Sequence, residues 1–335
     1  MRRGGGLSFG ARTQDLKSLY ERTFYMKIIT LTLNPAFDIH CYIENFAPYH
    51  ENLANITEYD AGGKGVNISR ALTYNGTENL ALVVLGEENA DSFRIRLERD
   101  GMNYRALCVS GRIRENITVH TNGADETRIS FAGFCADSSL LDRLERELDG
   151  ILEERSYVAF TGRNPAGLAM SDVKAFLRRL ADKGVRTVID SRSFSLEDLI
   201  ELRPWLIKPN QEEISEYLGR QVKDFSDAVD AARALRESGI ENVMISFGAL
   251  GALLVCGDGA FAALPPSVDA VSTIGAGDSS IAGFLAAASQ GKNSSDMLRT
   301  AVAYGTAACL TGGTRPPKAQ DVERILKQIK LNTLL

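Results

Sequence analysis

The feature that most constrains this fold is a regular alternation of short β-branched runs with amphipathic stretches, which begins after Met26. Strands that alternate with helices indicate right-handed crossover connections and a mostly parallel sheet covered by helices on both faces. We therefore predict an α/β fold with three layers. The predicted strands are 27–33, 80–85, 157–160, 185–190, 205–208 and 242–246. The predicted helices are 89–100, 171–182 (with Ser171 as its N-cap), 211–218 and 226–238.

Two regions interrupt the alternation. Residues 39–60 and 104–131 contain strand-like runs that we interpret as lacking intervening helices. Within the second region, Asn122-Gly123 is a strong signal for a hairpin turn. We predict that both regions form one small β-sheet, a flap that projects from the main body and covers the substrate.

The two ends of the chain differ in character. The last third is predicted to be helical, with helices at 276–290 and 295–310. Residues 1–25 lack a periodic apolar face, and we interpret them as a disordered tail or an upstream start, with a transit-like peptide as the alternative. Residues 26–335 are therefore predicted to form one domain.

Composition argues against several classes of function. The formal net charge is −5 and no dense block of Lys or Arg occurs, which does not favour nucleic acid or anionic membranes as partners. No apolar run reaches the roughly 18 residues that a membrane span needs. The five cysteines are scattered and none forms a C-x-x-C pair, which favours a reducing compartment and predicts a cytoplasmic protein.

The segment 272–280, Ser-Thr-Ile-Gly-Ala-Gly-Asp-Ser-Ser, carries the strongest chemical signal. Gly275, Ala276 and Gly277 open a helix, whose free N–H groups and positive dipole end suit a phosphate. A carboxylate repels phosphate, so Asp278 at this place indicates a catalytic base that accepts a proton from an attacking hydroxyl. The alternative from this segment alone is that Asp278 only caps the helix.

Two further segments have weaker signals. Residues 60–70 form a second glycine-rich turn before a helix, where Lys64 and Asn67 are placed to contact a polyhydroxylated ligand. After a predicted strand, Asn210 and Glu213 have the spacing of a capping box. The alternative for this pair is that both face a water-bound Mg²⁺ beside nucleotide phosphates.

Taken together, these segments resemble the PfkB (ribokinase-like) family of carbohydrate kinases. The resemblance rests on 32–38 (Thr-Leu-Asn-Pro-Ala-Phe-Asp), 62–67 (Gly-Gly-Lys-Gly-Val-Asn), 208–213 (Lys-Pro-Asn-Gln-Glu-Glu) and 275–278 (Gly-Ala-Gly-Asp), which occur in the family's order. The first two segments resemble the branch that contains the 1-phosphofructokinases and the tagatose-6-phosphate kinases.

The resemblance implies a ribokinase-like sandwich with a β flap and a role for each matching residue. Asp278 would be the base, with Gly275, Ala276 and Gly277 as the anion hole. The sugar-phosphate site would consist of Asp38, Gly62, Gly63, Lys64, Asn67, Arg114 and Arg163. ATP would lie against Lys208, Asn210, Ser246, Gly248, Gly251 and Gly305, with Mg²⁺ organised through water by Asn210 and Glu213. The flap would also form a homodimer contact.

Two departures bear on the substrate. The branch usually has a small hydroxyl residue where this chain has Arg163, and the flap segment 50–55 lacks the Lys or Arg often found there. Either a phosphate-binding charge has moved from the flap to Arg163, or the substrate differs, or Arg163 only pairs with a carboxylate such as Asp190.

The implied reaction is phosphorylation of a hexose monophosphate by ATP, with fructose 1-phosphate as the preferred acceptor and fructose 1,6-bisphosphate as product. The alternatives are a tagatose-6-phosphate kinase, a kinase of an unphosphorylated sugar or nucleoside, and a non-catalytic sugar sensor on the same fold.

Overall fold

The structure, a computed structural model, describes residues 26–122 and 126–334. The predictions made for residues 1–25 lie outside the described residues. The predicted hairpin turn at Asn122-Gly123 lies partly outside them, because Gly123 is not described. Within the described part no helix is long and apolar enough to cross a membrane.

The strands and helices are numbered in chain order. The strands are β1 Ile28–Thr32, β2 Ala36–Tyr42, β3 Asn55–Gly62, β4 Leu80–Gly86, β5 Tyr104–Val109, β6 Arg114–His120, β7 Thr127–Ser130, β8 Tyr157–Thr161, β9 Arg186–Asp190, β10 Leu206–Ile207, β11 Asn242–Ser246, β12 Ala252–Cys256, β13 Gly259–Leu264 and β14 Lys330–Leu334. The helices are α1 Lys64–Tyr74, α2 Ala90–Arg99, α3 Ser139–Asp149, α4 Met170–Asp182, α5 Leu196–Leu202, α6 Gln211–Leu218, α7 Phe225–Glu237, α8 Ala276–Ser289, α9 Ser294–Ala308 and α10 Ala319–Leu326.

The large sheet has ten strands in the order β14-β13-β12-β11-β10-β9-β8-β1-β4-β5. The pairs from β11 to β5 are parallel, which confirms the predicted mostly parallel sheet. Its central strands are buried along their length, as the five buried residues of β1 illustrate, because a sheet covered on both faces buries both sides of each strand.

Helices cover both faces of this sheet. One buried cluster contains apolar residues of α3, α4, α5, α6 and α7 together with strand residues such as Val158. A second cluster packs α1, α8, α9 and α10 against the opposite face, around residues such as Tyr157. The three-layer α/β prediction is therefore confirmed.

The large sheet also contains strands that the sequence analysis missed. β12, β13 and β14 extend it by antiparallel pairing, although the last third was predicted to be helical. The β12–β13 pair closes at Cys256 and Gly259, which leaves Gly257 and Asp258 as a two-residue turn. A Gly-Asp pair between apolar runs is a recognised hairpin signal that was available in the sequence.

The start of α4 was predicted wrongly. The helix begins at Met170 and its N-cap is Ala169, which makes no side-chain cap bond. Ser171 therefore lies inside the first turn and does not cap the helix.

The flap is a four-stranded sheet in the order β3-β2-β6-β7. Its predicted extent needs one correction, because β5 pairs in parallel with β4 at the edge of the large sheet. The physical reason is that α2 precedes β5, so that β4, α2 and β5 form an ordinary crossover unit. The first flap region runs from Ala36 to Gly62 and so extends closer to the main body than the predicted 39–60.

The parallel strands bring their carboxyl ends to one edge of the large sheet, where ligands bind in open α/β sheets. β8 ends before Gly162, β9 ends at Asp190, β10 ends before Lys208, and β11 ends at Ser246. The flap strand β2 begins four residues after β1 ends at Thr32, so the flap rises from this same edge. Most of the predicted site residues follow these strand ends.

Candidate active site

Asp278 lies in the first turn of α8. The N-cap is Gly275, in the left-handed region with φ of 78°, and no side-chain cap bond forms. The carboxyl instead accepts a hydrogen bond at Oδ2 from Asn67 Nδ2, 2.9 Å away, and the residue is only 7% exposed. The capping alternative for Asp278 is therefore wrong, because the glycine supplies the turn and the carboxyl faces another element.

Burial raises the pKa of Asp278 to about 6. The positive charge of Lys64 opposes this rise, the negative charge of Asp190 adds to it, and the hydrogen bond from Asn67 opposes it again. A carboxyl with a pKa near the working pH is ionised at neutral pH and still basic enough to take a proton from a hydroxyl.

Lys64 and Lys208 converge on one carboxylate, Asp190, at the end of β9. Lys64 Nζ lies 2.8 Å from Asp190 Oδ2, and Lys208 Nζ lies 3.7 Å from Oδ1. Burial alone would raise the pKa of Asp190, but the two ammonium groups outweigh it and hold the pKa below its ordinary value. Burial also lowers the pKa of Lys64, but the negative charges of Asp190 and Asp278 outweigh this effect and raise the pKa above its ordinary value.

Asp190 was missed as a site residue, although it was considered as a partner for Arg163. The available signal was an acidic residue at the carboxyl end of a predicted parallel strand. Lys208 also approaches the predicted anion hole, because a Cβ atom added at Gly277 would lie 3.3 Å from Lys208 Nζ.

Asp38 lies at the root of the flap, on β2. Its Oδ1 accepts a hydrogen bond of 2.9 Å from Asn116 Nδ2 on the neighbouring β6. Burial raises the pKa of Asp38, while Asn116 and Arg114 oppose the rise. Gly62 is required here because a side chain at that position would overlap the carboxylate of Asp38. Gly63, with φ of 119°, turns the chain into α1.

Arg114 and Arg163 are electrostatic neighbours. Burial lowers the pKa of Arg114; Asp38 opposes this effect, and the positive charge of Arg163 adds to it. Arg114 donates to Asn116 Oδ1 at 3.3 Å, and its buried Nε has no partner among the described residues. Neither arginine forms an ion pair with any carboxylate of the described residues, and Asp190 is instead held by the two lysines.

The capping box predicted at the start of α6 is present. Asn210 Oδ1 accepts from Glu213 N at 2.8 Å, and Glu213 Oε2 accepts from Asn210 N at 3.0 Å. The other oxygen of Glu213 accepts from Arg192 Nε at 2.9 Å. Each of these oxygens already accepts a hydrogen bond, and contact with Mg²⁺ through water stays a prediction. No cluster of three metal-ligating side chains occurs in 26–122 or 126–334.

The residues predicted to contact ATP fall into two places. Ser246 pairs with Asn210 in an isolated bridge, which brings the end of β11 beside the capping box. Gly248 and Gly251 follow it with φ of 55° and 104°. Gly305 lies on α9 against α8, where a side chain would overlap the hydroxyl of Ser280. The structure thus gives Gly305 a role in helix packing, and its contact with adenine stays a prediction.

Comparisons with known proteins identify relatives of this chain. Residues 32–321 match the pfkB family carbohydrate kinases. A 1-phosphofructokinase from Escherichia coli strain K12 is 33% identical over 84% of this chain and 90% of its own length. A 1-phosphofructokinase from Borreliella burgdorferi is 33% identical over 92% of this chain and 99% of its own length.

The fold has solved counterparts. The crystal structure of phosphofructokinase-2 from Escherichia coli in complex with potassium matches with a TM-score of 0.84 and 26% identity, over 90% of this chain and 99% of that one. The family match covers most of the chain, including all the segments on which the resemblance rests. This chain therefore belongs to the PfkB family of carbohydrate kinases.

Proposed function

We propose that this carbohydrate kinase is a 1-phosphofructokinase, which transfers a phosphoryl group from ATP to fructose 1-phosphate and forms fructose 1,6-bisphosphate. Relatives of that name share 33% identity over 84% and 92% of the chain. The observation that carries the proposal is the buried carboxyl of Asp278, with its pKa of about 6, at the glycine-rich start of α8.

In the proposed mechanism Asp278 accepts the proton that the acceptor hydroxyl loses as its oxygen attacks phosphorus. Asn67 holds one carboxyl oxygen, Oδ2, and leaves the other to face the hydroxyl. General-base assistance of this kind typically contributes about 10²–10⁴-fold to the rate.

The charge that develops on the transferred group is stabilised by two features of the chain. The N–H groups of Ala276 and Gly277 lie at the positive end of α8, where a helix favours an anion. Lys208 lies beside Gly277, and Lys64 is near enough to Asp278 to lower the pKa of that carboxyl. The two lysines thus place positive charge beside the reacting groups.

Arg114 and Arg163 support a phosphorylated acceptor. The positive charge of Arg163 disfavours the charged form of Arg114, and a bound phosphate would relieve this repulsion. Arginine also binds phosphate through two parallel hydrogen bonds. This argument favours fructose 1-phosphate or tagatose 6-phosphate over an unphosphorylated sugar or nucleoside.

Mg²⁺ is the proposed metal, and it neutralises phosphate charge when bound. Asn210 and Glu213 would orient its water shell, which matches the preference of Mg²⁺ for keeping several waters. Ser246, Gly248 and Gly251 follow the same sheet edge and are the proposed contacts for ATP.

We further propose a cytoplasmic homodimer that pairs through the flap. Apolar side chains are exposed on and beside its strands, among them Leu53 at 90%, Ile56 at 65% and Phe131 at 52% exposure. An exposed apolar sheet of this kind marks an interaction surface.

The proposed function is tested by steady-state assays of the purified chain with ATP and Mg²⁺. Fructose 1-phosphate, tagatose 6-phosphate and free fructose are the acceptors, and Asp278→Asn is the control for contaminating kinases. We expect the highest kcat/KM with fructose 1-phosphate. A higher kcat/KM with either other acceptor would replace the proposed substrate, and sugar binding without turnover would identify a sensor.

A further inference from the structure

Arg70 is a buried cation to which the catalytic scheme gives no role. It lies on α1, one turn after Asn67, and is only 4% exposed. Its guanidinium donates through Nε to Asp100 Oδ2 at 2.8 Å, through Nη1 to Asn67 Oδ1 at 3.2 Å, and through Nη2 to the carbonyl oxygen of Ala61. One side chain therefore connects α1, the end of α2 and the root of the flap.

The contact with Asn67 determines which way that amide faces. A guanidinium carries only donors, so the group of Asn67 that meets Arg70 must be the oxygen, Oδ1. The NH₂ group of the same amide then faces Asp278, to which it donates at 2.9 Å. If the amide were inverted, its oxygen would face the carboxylate and its NH₂ group would face a cation, and both contacts would be repulsive.

The same guanidinium acts at the sugar side of the site. Its charge is among those that oppose the rise in the pKa of Asp38. Its bond to Ala61 fixes the backbone immediately before Gly62, which packs against the Asp38 carboxylate. Arg70 thus contacts both the support of the catalytic base and the root of the flap.

We propose that Arg70 is a positioning residue that fixes the Asn67 amide against the catalytic base Asp278 while anchoring the root of the flap. This inference rests on the proposed function only in naming Asp278 as the base. The geometric chain Asp100–Arg70–Asn67–Asp278 holds whatever the acceptor is.

The test is Arg70→Lys, because lysine keeps the charge but cannot hold three separate acceptors in the fixed geometry of a guanidinium. We expect the acid limb of the pH profile of kcat to move up by about one pH unit, since a carboxylate that loses a fixed donor binds its proton more tightly. We expect kcat at pH 6 to fall about fivefold and to recover toward pH 8.5, while the KM for ATP changes less than about twofold.

The chain offers a matched control in Arg96→Lys. Arg96 also ties a helix to the flap strand β3, through Nε to the Tyr59 carbonyl oxygen at 2.8 Å, and it lies 3.8 Å from the centre of the Tyr59 ring. It contacts none of the proposed catalytic residues. This variant should lower the melting temperature and leave the pH profile unchanged.

A double-mutant cycle with Asn67→Ala separates positioning from general support. If Arg70 acts through Asn67, then Arg70→Lys should change kcat less than about twofold once the amide is absent. Additive losses in the cycle, or an unshifted acid limb in Arg70→Lys, would overturn the proposal.

If Arg70→Lys does not fold, Asp100→Asn takes its place, because it weakens the hydrogen bond from Arg70 Nε to Asp100 with little change of shape. Its acid limb should shift in the same direction by a smaller amount, and an unshifted limb would overturn the proposal as well.

A measurement without substrate distinguishes this inference from the proposed function. The carboxyl carbon of Asp278 can be titrated by NMR in the wild type and in Arg70→Lys. An upward shift in its pKa supports the positioning role even if no sugar phosphate is turned over. An unchanged pKa refutes the role even if the chain is an active 1-phosphofructokinase.

Discussion

Replacing Asp278 with asparagine should inactivate the enzyme and stabilise its fold at the same time. The amide keeps the size of the carboxyl and retains an oxygen that can accept from Asn67 Nδ2. It cannot take a proton from the acceptor, so we expect kcat to fall by about 10²–10⁴-fold. ATP binding should change little, because the anion-hole N–H groups belong to the backbone.

The gain in stability follows from the pKa of the buried carboxyl. Folding raises it from the ordinary value of 3.8 to about 6. Because the folded state binds this proton more tightly, the ionised carboxylate destabilises the fold, by about 1.4 kcal/mol per pKa unit or on the order of 3 kcal/mol at pH 7–8. Asparagine carries no charge to desolvate, so the variant should unfold several degrees higher.

The pH dependence of this gain has a definite sign. Below about pH 3 the carboxyl is protonated in both the folded and the unfolded states, so the variant should have no advantage there. The advantage should open as the pH rises from about 3, reach roughly half its full size near pH 5, and stay constant above about pH 7. Urea unfolding of both proteins at a series of pH values measures it.

The matched control is Asp296→Asn. Asp296 occupies the same third position of its helix, α9, but its side chain is 42% exposed to solvent. This substitution should leave both kcat and the pH dependence of stability nearly unchanged. An Asp278→Asn protein that is no more stable than the wild type at pH 8, or that retains more than a tenth of its kcat, would refute the reasoning.

Three other predictions concern the acceptor, the flap and the tail. Arg114→Ala and Arg163→Ser should each raise the KM for fructose 1-phosphate by about one to two orders of magnitude, since one charge-assisted hydrogen bond is worth about 1.5–3 kcal/mol. The KM for ATP should stay nearly unchanged. If steady-state kinetics show changes below twofold in the KM for the acceptor, the phosphate-binding interpretation is wrong. Light scattering at micromolar concentration should give a dimer, and Ile56→Glu on β3 should give a monomer, whereas a monomeric wild type would contradict pairing through the flap. A protein that starts at Met26 should keep its activity and melting temperature, and a large loss of either would show that residues 1–25 belong to the fold.

Local signals were sufficient to predict the main body. β1 and β4 are short runs rich in β-branched and other apolar residues, and α6 begins with a capping box, so both kinds of element are recognisable within a few residues. The antiparallel strands β12 and β13 were missed because the alternation of strands and helices stops at Ser246. Their pairing depends on a two-residue turn, which is a weaker signal than an alternation repeated over many elements.

The placement of β5 shows a second limit. Its residues are only partly buried, since it lies at the edge of the large sheet, and their pattern resembles that of the flap strands. Whether such a strand joins one sheet or another depends on the direction of the preceding helix and on the free edge beside it. Both are properties of the assembled fold and not of the strand's own residues.

In the active site, glycine-rich turns and strand ends identified the proposed base and its lysine, because unusual backbone geometry leaves a signature in composition. Asp190 and Arg70 left no such signature, because the contacts that give them their roles join residues far apart in the sequence. Asp190 and Lys64 are 126 positions apart, and Asn67 and Asp278 are 211 apart.

The arrangement of charges explains why a buried acid beyond the proposed base is needed. If Lys64 and Lys208 had no other partner, both would pair with Asp278, and the pKa of that carboxyl would fall below the range useful to a base. Asp190 binds both ammonium groups and also adds its own negative charge to the causes that raise the pKa of Asp278. The lysines thereby stay beside the phosphoryl path while the base remains proton-accepting near neutral pH. Asp190, at the end of β9, therefore helps to set the basicity of Asp278 on α8.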